Sequence, residues 1–482
     1  MEKIQKLHLG PAQCALDLGD GSERGEYISQ DYILNKLGRP HRAISLMYCY
    51  YPNDPKWPER VSVAYPNDGS GAWGYPYDDY FTYKGGLKGN RDGEPFTFMK
   101  DVRRHGQDVL LTLTIDPKIT DDHIVAIAKD LRTYGRVMLR INHEATGNWF
   151  SFNKRATYEE VAAFFVNCCD IIHREAPNVK VILCLDGFKE PDEEKMDKED
   201  IFADAIKAAD IESVDRYLAL HWGWPYDVAE EGGNSFARYS VNKIYQCTKK
   251  SYHRYVEING GLKKPMVLSE LNADGDVTGA FDQAQMMIDF CNNIKNDSEK
   301  WLSGFTFYQM RDRGRLGLEI EDPNNKDVGI DQPILDSYKE LLFDDYFYPE
   351  IKADGEASLP VQLRWGGSED AEGIGLLIHF DSNPVFCEAY FEDDLTDANF
   401  MMEINGRWFY KAPGVKCIDF MSAFYKKKLT GPMDLTLKIF APPATGENDP
   451  TQGEDWQTNY YYTLNSLPKI RIRFAPIVES LD

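Results

Sequence analysis

No Cys-x-x-Cys pair occurs in this chain, and its cysteines are odd in number: Cys14, Cys49, Cys168, Cys169, Cys184, Cys247, Cys291, Cys387 and Cys417. Several sit inside apolar runs, which reads as a set of reduced, buried thiols and excludes a disulfide framework or a cysteine zinc site. Long hydrophobic runs are missing too: no stretch reaches membrane-spanning length, and the opening MEKIQKLHLG has no apolar h-region. The sequence therefore predicts a soluble chain with no membrane partner. Its compartment stays open, cytoplasmic or secreted with a signal already removed. Positive charge is in deficit, 54 Lys and Arg against 78 Asp and Glu, for a net charge of −24. That balance excludes a phosphate-tracking surface and, with it, nucleic acid. Neutral sugars are compatible with such a surface; polyanions are not.

What is present is length and aromatic surface. At 482 residues, 43% of them hydrophobic, the chain suits one large domain and one small one. Its 28 Tyr and 9 Trp serve either a core or a cleft that offers flat apolar faces with polar tips.

Short β-rich runs alternate with helical patterns up to about residue 345, as in a parallel α/β fold. Strands are predicted at residues 14–18, 43–49, 109–115, 137–142, 179–185, 217–221, 266–269 and 304–308. A helix over 29–37 stops at Gly38-Arg39-Pro40, and Thr157-Tyr158-Glu159-Glu160 forms a capping box. Eight strands favour a closed (β/α)8 TIM barrel over an open sheet, with chemistry at the C-terminal strand ends. The loop after the second strand, about 50–95, carries Trp57, Tyr65, Trp73, Tyr75, Tyr77, Tyr80 and Tyr83 and is expected to wall the cleft. Beyond residue 350 alternating segments recur without helices, which predicts a small all-β sandwich. The expected domains are 1–345, a catalytic barrel, and 346–482, an ancillary sandwich that binds carbohydrate or braces the barrel.

The fourth strand runs into Arg140-Ile141-Asn142-His143-Glu144 and on through Gly147 to Trp149-Phe150; the seventh runs into Leu268-Ser269-Glu270. Each places a glutamate at the barrel mouth. A lone strand-end glutamate is ordinarily an ion-pair partner, but two facing each other suit glycoside cleavage, with one carboxyl protonated and the other ionised. A gap of about 5–5.5 Å would give retention, and roughly 6.5–9.5 Å would admit water and give inversion. His143-Glu144 is not a zincin motif, because Gly147 stands where the second histidine would be. Neither metal nor cofactor is expected.

At these residues the chain resembles glycoside hydrolase family 26, best known for endo-β-1,4-mannanases, whose strand-four motif has the form R-x-x-H-E-x-N-G-x-W-F. Arg140, His143, Glu144, Gly147, Trp149 and Phe150 match it; Thr146 replaces its Asn. The resemblance covers roughly residues 10–345. It implies double displacement on a neutral β-glycan, with Glu144 as acid/base and Glu270 as nucleophile. It further implies that His143 contacts the sugar or the nucleophile, that Trp149 floors a subsite, and that Arg140 belongs to the substrate-binding set. After strand six, Tyr226 is the expected hydrogen-bond partner of the nucleophile, with Trp222 and Trp224 as stacking platforms. Tyr308 stands where relatives carry a central-subsite Trp. Arg311, Arg313 and Arg315 follow, either to pair with the acidic segment 190–200 or to meet a charged or branched sugar. Alternatives are a β-1,3- or mixed-linkage glucanase, a xylanase, a non-catalytic glycan-binding protein, or an interaction scaffold.

Overall fold

The computed structural model describes residues 4–20, 27–54, 81–219, 240–275, 280–312, 314–365, 370–441, 445 and 462–476. Eight parallel strands form a closed barrel in the order of the chain: Ala15–Gly19, Ala43–Tyr50, Asp108–Ile115, Val137–Ile141, Val179–Leu185, Ile211–Tyr217, Met266–Asn272 and Leu302–Phe307. Closure is made where Leu18 and Gly19 pair with Ile44 and Ser45, while the eighth strand pairs with the first over Ala15–Leu18. Barrel strands are covered on both faces, so they read as nearly continuous apolar runs. Every residue of the second and third is buried.

Local signals hold where they were read. Ser29 caps Gln30–Leu37, and Gly38 ends it in the left-handed region at φ 86°. Thr157 and Glu160 make the reciprocal capping box of Tyr158–Glu175, at 3.3 and 2.9 Å. The sixth strand departs from expectation: it is Ile211–Tyr217, not 217–221. Its sequence, IESVDRY, carries polar side chains that the barrel interior pairs off, so it lacks the apolar run that marks its neighbours. Among the described residues no helix is long and apolar enough to cross a membrane.

The β-rich part contains a six-stranded antiparallel sheet in the order Ile351–Ala357, Ile4–Leu9, Gly373–Phe380, Met433–Phe440, Phe400–Ile404, Arg407–Lys411. A three-stranded sheet, Cys417–Asp419, Pro384–Tyr390 and Lys469–Phe474, shares one apolar core with it through Ile374, Phe400, Leu437, Cys387 and Ala389. Ile4–Leu9, inside the stretch expected to belong to the barrel, thus lies second from the edge of the other domain's sheet. The two parts are packed through Leu7, Leu34, Tyr348, Trp365, Met401, Trp408 and Phe440. Polar contacts seal that seam: Trp408 N donates to Gly38 O at 3.0 Å and the Arg407 guanidinium donates to Asn35 O at 3.1 Å.

Candidate active site

The fourth barrel strand ends in two residues of positive φ, Asn142 and Glu144, both at 49°. Side chains other than glycine and asparagine seldom adopt that region, and where they do the surroundings must hold them there. Asn142 is held by its amide, which accepts from Ile115 N at 2.6 Å and donates to Ile115 O at 3.1 Å across to the third strand. Ala145 N then donates to Cys184 O at 3.1 Å on the fifth. The double reversal lifts Glu144 out of the strand direction, leaving it half-buried among buried neighbours.

One oxygen of Glu144, Oε2, accepts the indole N–H of Trp149 at 2.8 Å. The other groups that act on it oppose ionisation. Burial comes first, then the charges of Asp215, Glu270 and Asp186, and together they push the carboxyl well above the ordinary glutamate range, with Trp149 pulling the other way. Gly147 makes the indole's position possible, since a Cβ there would stand 2.5 Å from the ring.

Glu270, on the seventh strand, accepts from two donors. Its Oε1 accepts from Arg140 Nη2 at 2.9 Å and its Oε2 from the Tyr217 hydroxyl at 2.6 Å. Arg140 is fully buried and shared: Nη1 donates to both oxygens of Asp215 at 3.1 and 3.2 Å, and Nε to Thr112 Oγ1 at 2.8 Å. Burial, helped by the charge of Glu270, pushes Asp215 up to about 8 against the pull of Arg140. One guanidinium therefore serves two acids in a cluster that holds four, counting Glu144 and Asp186. Such a cluster retains protons at neutral pH, and Glu144 is the member with fewest donors.

The predicted residues are distributed as follows. Arg140 and Glu270 share a hydrogen bond, Trp149 and Glu144 share another, and the charge of Glu270 acts on Glu144. His143 is buried with its ring 4.4 Å from that of Phe150, and burial with the adjacent Arg140 charge keeps it neutral. Tyr308 lies edge-on to Tyr217, centroids 6.1 Å apart. Trp222, Trp224 and Tyr226 fall outside the described residues, as do the loop aromatics from Trp57 to Tyr80. Among the described residues, the phenol that reaches Glu270 is Tyr217, from the sixth strand itself. Tyr83 is core: its hydroxyl donates to Asp130 at 3.0 Å and its ring packs on Tyr50 and Phe96. Arg311 pairs with buried Glu319, at 2.8 Å, and not with segment 190–200; Arg313 is outside the described residues. Asp186, Asp215 and Tyr217 were not singled out from sequence. The last two lie with Ser213 at period two on the inner face of IESVDRY, a polar alternation that does not stand out as a barrel strand. Among the described residues, no group of three or more His, Cys, Asp or Glu is arranged to hold a metal ion.

No protein-family model matches the chain, and no curated protein matches it. Among solved structures it is similar to the catalytic domain of a Bacillus sp. JAMB-750 family 26 endo-β-1,4-mannanase, at 14% identity and a TM-score of 0.43, over 69% of this chain and 86% of that one. It is also similar to a family 39 glycoside hydrolase from Bacteroides cellulosilyticus WH2, at 11% identity and a TM-score of 0.44, over 90% and 81%. An α-L-arabinofuranosidase from Thermotoga maritima matches at 10% identity and a TM-score of 0.44, over 91% and 99%.

Proposed function

We propose that this chain is a retaining glycoside hydrolase, with Glu144 as acid/base and Glu270 as nucleophile. The observation that carries the reading is the setting of the two carboxyls: burial and like charge favour the protonated form of Glu144, while a guanidinium and a phenol hold both oxygens of Glu270 in place. The first step requires a protonated acid and a positioned nucleophile. In that step a Glu270 oxygen attacks the anomeric carbon. The C–O bond breaks with its electron pair on the glycosidic oxygen, and that oxygen takes the proton of Glu144. In the second step Glu144 removes a proton from water as the water oxygen displaces Glu270. His143 and Tyr308, with Trp222, Trp224 and Tyr226, are assigned to sugar binding. The acidic surroundings favour a neutral glycan, and the motif from Arg140 to Phe150 makes β-1,4-mannan the first to try.

Replacing Glu270 by Ala should abolish turnover on every glycan while oligosaccharide binding, followed by calorimetry, survives. Glu144→Ala should spare dinitrophenyl glycosides, which need no acid, far more than natural substrates. Equal losses on both, or turnover unchanged in Glu270→Ala, would remove the assignment.

A further inference from the structure

We propose that Trp149 is a positioning residue for the acid: its indole N–H, donated to Oε2 of Glu144, fixes Oε1 as the oxygen that carries the transferable proton. The inference rests on Glu144 being the acid, but it assigns the indole to the carboxyl and not to a sugar, the role that the likeness to family 26 implies.

Three features support it. The contact is 2.8 Å from a donor that has no second protonation state and cannot accept. The indole is also built into place. It lies against the backbone of Gly147, where a Cβ would come within 2.5 Å of Cζ2, and the Tyr158 hydroxyl holds the Gly147 carbonyl at 3.0 Å. Finally, the charges around Glu144 need a counterweight. Asp186, just past the fifth strand, and Asp215 and Glu270, on the sixth and seventh, all raise its proton affinity, as burial does. Arg140, the nearby cation, is committed to Asp215 and Glu270. The neighbouring His143 is neutral, and the Cys184 thiol is held protonated by burial. Among the described residues, the indole N–H is the hydrogen-bond donor that favours release of the proton. A hydrogen bond to a carboxylate is stronger than one to the neutral acid, so the contact tightens as the proton passes from Oε1 to the glycosidic oxygen. It loosens again when Glu144 takes a proton from water.

The test uses the full-length protein and two variants. Trp149→Phe keeps a ring and removes the N–H, while Gly147→Ala keeps the N–H and displaces the ring. Circular dichroism establishes that both fold. The Glu144 carboxyl is titrated by 13C NMR, assigned by its disappearance in Glu144→Gln. Both variants should titrate at higher pH than the parent. In both, the basic limb of kcat/KM should move the same way, and kcat on the natural glycan should fall about ten- to a hundredfold, the range for a hydrogen bond to a charged group, with KM little changed. A carboxyl midpoint unchanged in Trp149→Phe, or a raised KM without a shift of the pH profile, overturns the proposal and returns the ring to a subsite. The carboxyl titration is read without substrate. If the parent protein cleaves no glycan, the hydrolase reading falls, while the titration still decides the contact.

Discussion

At Glu144 the chain carries a carboxyl whose neutral form is favoured by burial and by three neighbouring acids. In the folded state it binds its proton more tightly than in the unfolded chain, so its contribution to stability is complete below the ordinary glutamate range. That contribution is lost as the pH rises through the raised value. Glu144→Gln, which keeps the shape and can still accept from Trp149, removes this dependence. The variant should melt at the same temperature as the parent near pH 4 and at a higher one at pH 7–8, while turnover of a natural glycan falls roughly 10²–10⁴-fold. A melting temperature unchanged at pH 8 would mean that the native carboxyl is ionised there. Glu144 and Glu270 stand out in the sequence because each follows an apolar run. Tyr217 and Asp215 do not, because what recommends them is their partners, Glu270 and Arg140, which lie 53 and 75 residues away in the chain.

Elements were legible in proportion to how far each could be recognised alone. The capping box of Tyr158–Glu175 and the glycine stop after Leu37 are local chemistry and stand as read. The strand Ile211–Tyr217 is stabilised by neighbours: Ser213 shares a hydrogen bond with Ser269 at 2.6 Å, and Asp215 meets Arg140. A strand whose inner face is polar does not stand out from its own residues. The strand Ile4–Leu9 is masked in the sequence for a different reason: a bulge between Gln5 and Leu7 breaks its alternation, so that Ile4 and Leu7, three apart, are both buried. The end of helix Phe96–Arg104 offers a test at this scale. His105 follows its last turn, buried between Asp101 (3.2 Å) and Asp31 (3.1 Å), with its ring 3.9 Å from Tyr410 of the second domain. The hydrogen bonds to these two acids outweigh burial and raise the imidazolium to about 9. Its stabilisation, on the order of 3 kcal/mol, is complete below about pH 6.5 and disappears as the pH passes 9. His105→Gln should therefore lower the melting temperature at pH 6–7, with a deficit that shrinks toward pH 10. A deficit independent of pH would mean that the ring acts by packing alone.

In the whole molecule the second domain is fastened to the barrel along a continuous apolar seam. Trp408 stacks on Phe440 at 5.5 Å and meets Tyr348 at 6.1 Å, and its backbone caps the Gly38 carbonyl. Emptying that position, Trp408→Ala, should cost about 3–5 kcal/mol. In a calorimeter the barrel should melt earlier together with the sandwich; a shift confined to one of two separate transitions would show that the seam does not couple them. The strand Ile4–Leu9 adds a consequence in time. Its hydrogen-bonding partners, Ile351–Ala357 and Gly373–Phe380, are made more than three hundred residues later, so during translation this segment leaves the ribosome long before anything exists for it to pair with. An entire barrel is synthesised while it waits, so the pairing that closes this sheet is among the most non-local in the molecule and is expected to form late.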